Sequence, residues 1–406
     1  MEKTSDKNKL ILIICDGMGD LPTLRGKTPL ALARKPNIDK MARAGMNGLL
    51  HTIAPGVIPG SDTAHLALFG YDPHEFYKGR GVFEALGAGV KLQEGDVALR
   101  ANFATVDRTM HVIDRRAGRI DTKDAHALGA SLDGMRIEGV EIIFKPTTEH
   151  RASLILRGKN LSYKITDTDP HSLGKIKRSE PLENTTEAHT TAFVLNEFTH
   201  RARNILSSHP LNRKRKLPAN VVLARGASVY ERAPSLYEKY GFRSACVAGG
   251  ALYKGVAKFV GMDIIDVKGA TGTLETDVMA KAGAAIRALD DYDFIFLHVK
   301  GMDNASHDGD ARAKIKMIER VDKMIGALLK TGAYIVLTAD HSTPISKREH
   351  TADPTPILIY GKNLRGDDVK KFDEINVARG ALGHLRGLEL MPIIVSLMGY
   401  AKVYGS

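Results

Sequence analysis

The chain contains no tryptophan and only two cysteines, and aromatic residues make up 6% of its 406 residues. Cys15 and Cys246 are too few for a disulfide framework, so each is expected as a small buried hydrophobe in a reducing compartment. Long apolar runs are also missing. No stretch approaches the roughly 18 apolar residues that span a bilayer, and the polar start MEKTSDKNKL has no signal-peptide core. A soluble, cytoplasmic protein with no membrane partner is the expectation. There is no zinc-finger spacing and no aromatic-rich RNA-binding strand, which argues against a nucleic-acid partner although 58 basic and 47 acidic residues leave a net charge of +11. That charge favours anionic partners without choosing among them. The densest basic run, Arg213 to Lys216, lies between His209-Pro210 and Pro218 and reads as a solvated loop.

What is present is an alternation of short apolar runs with longer amphipathic stretches, the pattern of a mostly parallel sheet between helices. The candidate strands are Leu10–Cys15, Ser244–Ala248, Asp263–Val267, Phe294–Val299, Tyr334–Thr338 and Pro356–Tyr360. Their near-continuous apolarity suggests burial on both faces, as central parallel strands require. Helices are expected over Pro36–Ala44, Thr276–Leu289, Asp310–Lys330 and Met391–Met398. The length exceeds one usual hydrophobic core. From about residue 88 to about residue 230 the pattern changes to mixed strands and turns, with 23 Lys+Arg against 16 Asp+Glu, a balance of +7. The fold class expected is therefore α/β, with a discontinuous core over 1–87 and 231–406 and an inserted α+β domain over 88–230.

Three candidate strands run directly into carboxylates or imidazoles. Leu10–Cys15 is followed by Asp16-Gly17, Phe294–Val299 by Lys300-Gly-Met-Asp303-Asn-Ala-Ser-His307, and Tyr334–Thr338 by Ala339-Asp340-His341. In an open α/β sheet, ligands bind outside the carboxyl ends of the strands, so segments far apart in sequence converge there. Any one strand-end Asp is usually a turn or cap residue, but three strand ends carrying ligand types together point to a shared site. Asp303 and His307 are four residues apart, on one face if helical. Carboxylate and imidazole together suit Mn²⁺, Mg²⁺, Co²⁺ or Zn²⁺. His350 supplies another imidazole ahead of a further strand. Ser61, in Pro59-Gly60-Ser61-Asp62-Thr63-Ala64-His65, stands at the start of an expected helix, where it is either a plain cap or a nucleophile beside helix amides that stabilise a phosphoryl group. His65 is expected to support packing or the surroundings of the site, and His51, His74 and His298 are expected to be structural.

In that order, CDGMGD, PGSDTAH, HVKGMDNASHDGD, TADHST and EHTADPTP resemble the metal signature of the alkaline phosphatase superfamily. KGRGVFEALG, ANFATVD, DRRAGR, ARG and KGATGTLETD extend the likeness along the chain to the archaeal-type phosphoglycerate mutases that need no 2,3-bisphosphoglycerate. The resemblance implies two divalent metals, one held by Asp16, Ser61, Asp340 and His341 and the other by Asp303, His307 and His350. It also implies a transient phosphoserine at Ser61, conversion of 3-phosphoglycerate to 2-phosphoglycerate in glycolysis or gluconeogenesis, and no bisphosphoglycerate cofactor. The Pro and Arg that a sulfatase carries two and four residues after its nucleophile are absent after Ser61. A metal-dependent phosphatase or another phosphomutase is the nearest rival. A mutase must retain its dephosphorylated intermediate and exclude water, and the inserted basic domain would serve as the lid. Arg115, Arg116 and Arg225 are the guanidinium groups expected on the substrate's carboxylate and phosphate, each with a surface ion pair as the alternative. Lys254 is expected as a cation on the phosphoryl group and Asp114 as the proton-shuttling acid or base. Neither the preferred metal nor the oligomeric state can be read from the residues.

Overall fold

The computed structural model describes residues 7–403 and 405 and divides the chain into two compact units, Met1–Tyr77 with Ala233–Ser406, and Lys78–Arg232. The strands in chain order are β1 (Leu10–Cys15), β2 (Met46–His51), β3 (Val97–Val106), β4 (Val112–Asp114), β5 (Arg136–Ile137), β6 (Val140–Pro146), β7 (Arg151–Arg157), β8 (Val221–Val229), β9 (Ser244–Val247), β10 (Asp263–Ile264), β11 (Phe294–Val299), β12 (Tyr334–Thr338), β13 (Thr355–Tyr360) and β14 (Gly383–Arg386).

The first unit is built on a sheet of eight strands in the order β10-β9-β11-β1-β12-β13-β2-β14. It is mostly parallel and α/β, as expected. β13 alone runs against its neighbours β12 and β2. Its apolar run reports burial on both faces, which is independent of strand direction, so the expectation of a parallel strand at Pro356–Tyr360 is corrected. Every residue of β1 is buried, and β11 and β12 are buried throughout. The registers place Cys15 beside Val299 and Ile14 beside Thr338. Three adjacent strands therefore end at one level, spaced about 4.8 Å apart.

Helices cover the sheet where sequence spacing places them: Pro36–Ala44, Val278–Ala288, Ala311–Leu328 and Gly387–Leu397. Asp310 caps the long one, its carboxylate accepting from the Ala313 amide at 2.9 Å. The last begins four residues ahead of the expected Met391, because Arg386 and Glu389 form a capping box and Pro392 is tolerated inside it.

The second unit is a six-stranded sheet in which β4, β3, β7, β6 and β5 lie in order and β8 pairs with β3. All its pairings are antiparallel. The helix Thr186–Ser208 lays Ala192, Leu195, Phe198, Ala202 and Leu206 into its core. The unit begins at Lys78, ahead of the expected boundary at 88, because the helix Gly81–Gly87 belongs to it. A Cβ at Gly81 would meet the Ala98 carbonyl at 2.1 Å, and the Val82 amide donates to Ser228 Oγ at 2.8 Å.

Candidate active site

The carboxyl ends of β11, β1 and β12 bring Asp16, Lys300, Asp303, Asp340 and His341 to one place in the first unit. The turn after β1 depends on glycine. Gly17 has φ +65°, and a Cβ there would lie 2.9 Å from the Asp303 backbone and 2.7 Å from Thr343 Oγ1. Its amide donates to Asp340 Oδ1 at 3.3 Å, tying the first strand end to the third. Asp303 and His307 share one face of the helix Gly301–Asp308, with His307 Nε2 3.3 Å from Asp303 Oδ1.

Ser61 does not cap its helix. Gly60 stands at the cap, Ser61 is the first helical residue, and its hydroxyl lies 3.2 Å from His341 Nε2. His65, one turn on, donates from Nδ1 to the Ser61 carbonyl at 2.6 Å, which fits the supporting part expected of it.

The three imidazoles of the cluster share one arrangement. His307 Nδ1–H donates to the Arg348 carbonyl at 2.7 Å and His350 Nδ1–H to the Pro59 carbonyl at 3.0 Å. The Thr343 hydroxyl donates to Asp303 Oδ1 at 3.0 Å and so accepts from His341 Nδ1–H at 2.9 Å. With Nδ1 occupied, each ring turns Nε2 inward as a lone-pair donor, the tautomer that a metal ligand needs. One ligand atom each from Asp16, Asp340 and His341, and again from Asp303, His341 and His350, lie within 4.8 Å of one another. Asp16 Oδ1 and Asp340 Oδ2 are buried and accept no hydrogen bond, and His341 Nε2 approaches them at 3.5 and 3.2 Å. Buried carboxylate oxygens without donors are costly unless a cation occupies the space between them. The residues present therefore fit divalent metal ions, with Ser61 beside them.

Three neighbours of Asp16, Lys300, His298 and Tyr253, were not anticipated as site residues. Lys300 donates to Asp16 Oδ2 at 3.2 Å and Asp303 Oδ2 at 2.8 Å. His298, expected to be structural, has Nε2 3.3 Å from Asp16 Oδ2. Burial alone would raise the Asp16 carboxyl, but the Lys300 ammonium, with the His298 imidazole close by, holds it well below the usual range. Burial pushes His298 itself down to about 4. Lys254, expected at the phosphoryl group, pairs instead with Asp266 at 2.6 Å. Successive helix positions are turned about 100° from each other, so within Ala251–Phe259 the neighbouring Tyr253 faces inward. Its hydroxyl donates to Asp16, and its ring stacks on His298 with centroids 3.6 Å apart. Both cysteines are buried and free, and burial raises both thiols, that of Cys246 to about 12.

In the second unit the arginines converge on a carboxylate outside every motif. Asp169 is buried, and its carboxylate accepts from Arg115 Nη2 at 3.0 and 2.7 Å and from Arg225 Nη1 at 3.3 Å. Arg225 sits opposite Arg100 in the β3–β8 register. Arg116 is exposed, and its amide donates to Asp114 Oδ1 at 2.6 Å.

A mostly parallel α/β unit whose strand ends gather carboxylates and imidazoles around a helix-terminal serine defines a candidate metal-assisted phosphoryl-transfer enzyme. The comparisons with known proteins are more specific. Residues 42–212 match the family model described as 2,3-bisphosphoglycerate-independent phosphoglycerate mutase. A protein of that name from Methanocaldococcus jannaschii is 46% identical over 98% of this chain and 100% of its own length. Among solved structures, a Pyrococcus horikoshii protein has a TM-score of 0.86 and 37% identity over 99% of this chain and all of the other. The cofactor-independent phosphoglycerate mutase of Thermoplasma acidophilum has a TM-score of 0.76 and 35% identity over 97% of this chain and all of its own. The chain belongs to the 2,3-bisphosphoglycerate-independent phosphoglycerate mutases, a family that implies dependence on divalent metal.

Proposed function

We propose that this protein interconverts 3-phosphoglycerate and 2-phosphoglycerate without bisphosphoglycerate, through a phosphoserine at Ser61 beside two divalent metal ions. The observation that carries the reading is the pair of ligand clusters Asp16/Asp340/His341 and Asp303/His341/His350, which share His341, with the Ser61 hydroxyl 3.2 Å from His341 Nε2 and His307 Nε2 3.3 Å from Asp303. Asp16, Ser61, Asp340 and His341 would hold one ion, and Asp303, His307 and His350 the other. Bound there, the ions supply Lewis-acid charge that favours an ionised serine and offsets the phosphoryl oxygens.

The protein's own residues carry the rest. Ser61 Oγ forms a bond to phosphorus as the bond to the substrate's 3-oxygen breaks, and the serine proton leaves to the glycerate oxygen through an acid or base. The glycerate then presents its 2-hydroxyl, whose oxygen bonds to phosphorus as the bond to Ser61 Oγ breaks, and the proton that the 2-hydroxyl loses returns to Ser61 through the same acid or base. The first helical turn after Gly60 directs amides at the group in transit. Arg115 and Arg225, oriented by Asp169, recognise the anionic ends of the substrate, with Arg116 beside them. Asp114 is assigned to proton transfer, with the oxygen not engaged by the Arg116 amide. Lys300 replaces Lys254 as the cation of the site.

Formation of 2-phosphoglycerate from 3-phosphoglycerate, coupled to enolase in the absence of bisphosphoglycerate, tests the reading. Activity is expected with Mn²⁺, Mg²⁺ or Co²⁺ and not with EDTA. Faster release of inorganic phosphate than of the isomer would replace it with the phosphatase reading.

A further inference from the structure

Lys300 sits between carboxylates that the reading above assigns to two different metal ions. Its Nζ donates to Asp16 Oδ2 at 3.2 Å, to Asp303 Oδ2 at 2.8 Å and to the Tyr253 hydroxyl at 3.0 Å, which engages all three ammonium hydrogens. Tyr253 in turn donates to the same oxygen of Asp16 and is braced by its stack on His298. The side chains of Asp16 and Asp303 are 0% and 4% exposed, whereas that of Lys300 is 26% exposed. One positive charge thus enters from the solvent side and occupies a single oxygen of each carboxylate. The other oxygens remain directed at the imidazoles, Asp16 Oδ1 toward His341 and Asp303 Oδ1 toward His307 and His350.

We propose, resting on the metal reading, that Lys300 is a built-in counter-ion. It bridges the two half-sites in the metal-free protein, holds Asp16 and Asp303 at ligand spacing, and competes with incoming divalent ions for their charge. Asp16, Asp303 and Asp340 are all buried, so without a cation their mutual repulsion and desolvation oppose the closed arrangement. The ammonium offsets that repulsion until metal arrives. It is then repelled by the bound ions and turns toward its exposed side, where it is available to an anionic substrate. Lys300 is a positioning residue for the metal ligands in this scheme, and the Tyr253 hydroxyl fixes which Asp16 oxygen it takes.

The proposal separates two quantities that a merely structural lysine would move together. Removing the charge should destabilise the metal-free protein and strengthen metal binding. The experiment measures Mn²⁺ binding by calorimetry and melting temperature, on full-length chelator-stripped wild type, Lys300→Met and Lys300→Arg. Lys300→Met is expected to bind Mn²⁺ at least about tenfold more tightly, as loss of a repelling charge a few ångströms away implies. It should melt lower than wild type when metal-free and recover when loaded, while Lys300→Arg keeps both properties near wild type. Binding by Lys300→Met that is no tighter than wild type, or an unchanged metal-free melting temperature, overturns the proposal. If Lys300→Met does not fold without metal, refolding in Mn²⁺ decides: recovery supports the proposal and failure to recover overturns it. Wild type that binds no Mn²⁺ contradicts the metal reading itself and removes the proposal with it, an outcome distinct from failure of the variant alone.

Discussion

In the first unit the charged groups lie at the ends of buried parallel strands, and each is held by atoms that belong to other segments of the chain. In the second they line antiparallel strands and adjoining turns, where Arg115 and Arg225 share the carboxylate of Asp169. Adjacent parallel strands ending in register place Asp16 and Asp340 in one ligand cluster and Asp303 in a second, with His341 common to both. That geometry suits fixed charges around metal ions, which tolerate little displacement. An arginine pair held by one buried carboxylate presents guanidinium groups suited to binding carboxylate or phosphate oxygens, the part proposed for them above. The contrast predicts different consequences of mutation: losses of chemistry in the first unit, and losses of retention in the second.

The largest effect is expected from the metal ligands. Asp340→Asn or His307→Ala should lower turnover by roughly a thousandfold or more, with the far-ultraviolet circular dichroism unchanged, because these groups stand at strand and helix ends. An active Asp340→Asn enzyme with no bound metal would show that the strand-end ligands of the first unit do not carry the chemistry.

The next effect concerns protons in the first unit. His298 is buried, and burial pushes it down to about 4, so it stays neutral in the folded protein while the unfolded chain gains a proton below about 6.5. Its contribution to stability is thus present above pH 6.5 and lost as pH falls from there toward 4, by at most about 3 kcal/mol. Urea titrations of chelator-treated wild type and His298→Asn across that window should differ in slope, the variant being flatter. Parallel curves would show that His298 does not carry this limb.

The smallest effect belongs to the second unit. Arg115→Ala or Arg225→Ala should remove about 1.5–3 kcal/mol of interaction with the substrate's anionic groups. Isomer formation should slow while the share of phosphorus released as inorganic phosphate rises. Slower isomerisation with no added phosphate release would mean that these arginines bind substrate without guarding the intermediate.

The sequence announces the first unit's site far more clearly than the second's. Apolar strands that run straight into Asp16, Asp303 and Asp340 are visible because parallel strands bury both faces and end at one edge. The direction of β13 is not visible, since apolarity measures burial and not polarity of the chain. β2 and β14 escape notice because MNGLLH and GHLR are interrupted by polar residues and glycine. Lys300 lies inside the most informative motif, yet a lysine after a strand reads as solvated until the fold turns it onto two carboxylates. The choice of Tyr253 over Lys254 depends on helix rotation, which one residue's position does not disclose. Asp169 sits in a polar, turn-rich stretch, and only tertiary packing buries it beneath Arg115 and Arg225.

In the proposed mechanism phosphorus passes through Ser61. Rapid acid quenching during turnover of 3-phosphoglycerate with Mn²⁺, followed by intact-mass and peptide mass spectrometry, tests it directly. A population carrying one added phosphoryl group, located at Ser61 and absent from Ser61→Ala, is the predicted result. A Ser61→Ala enzyme that still interconverts the two phosphoglycerates, or a phosphoryl group found on another residue, would contradict it.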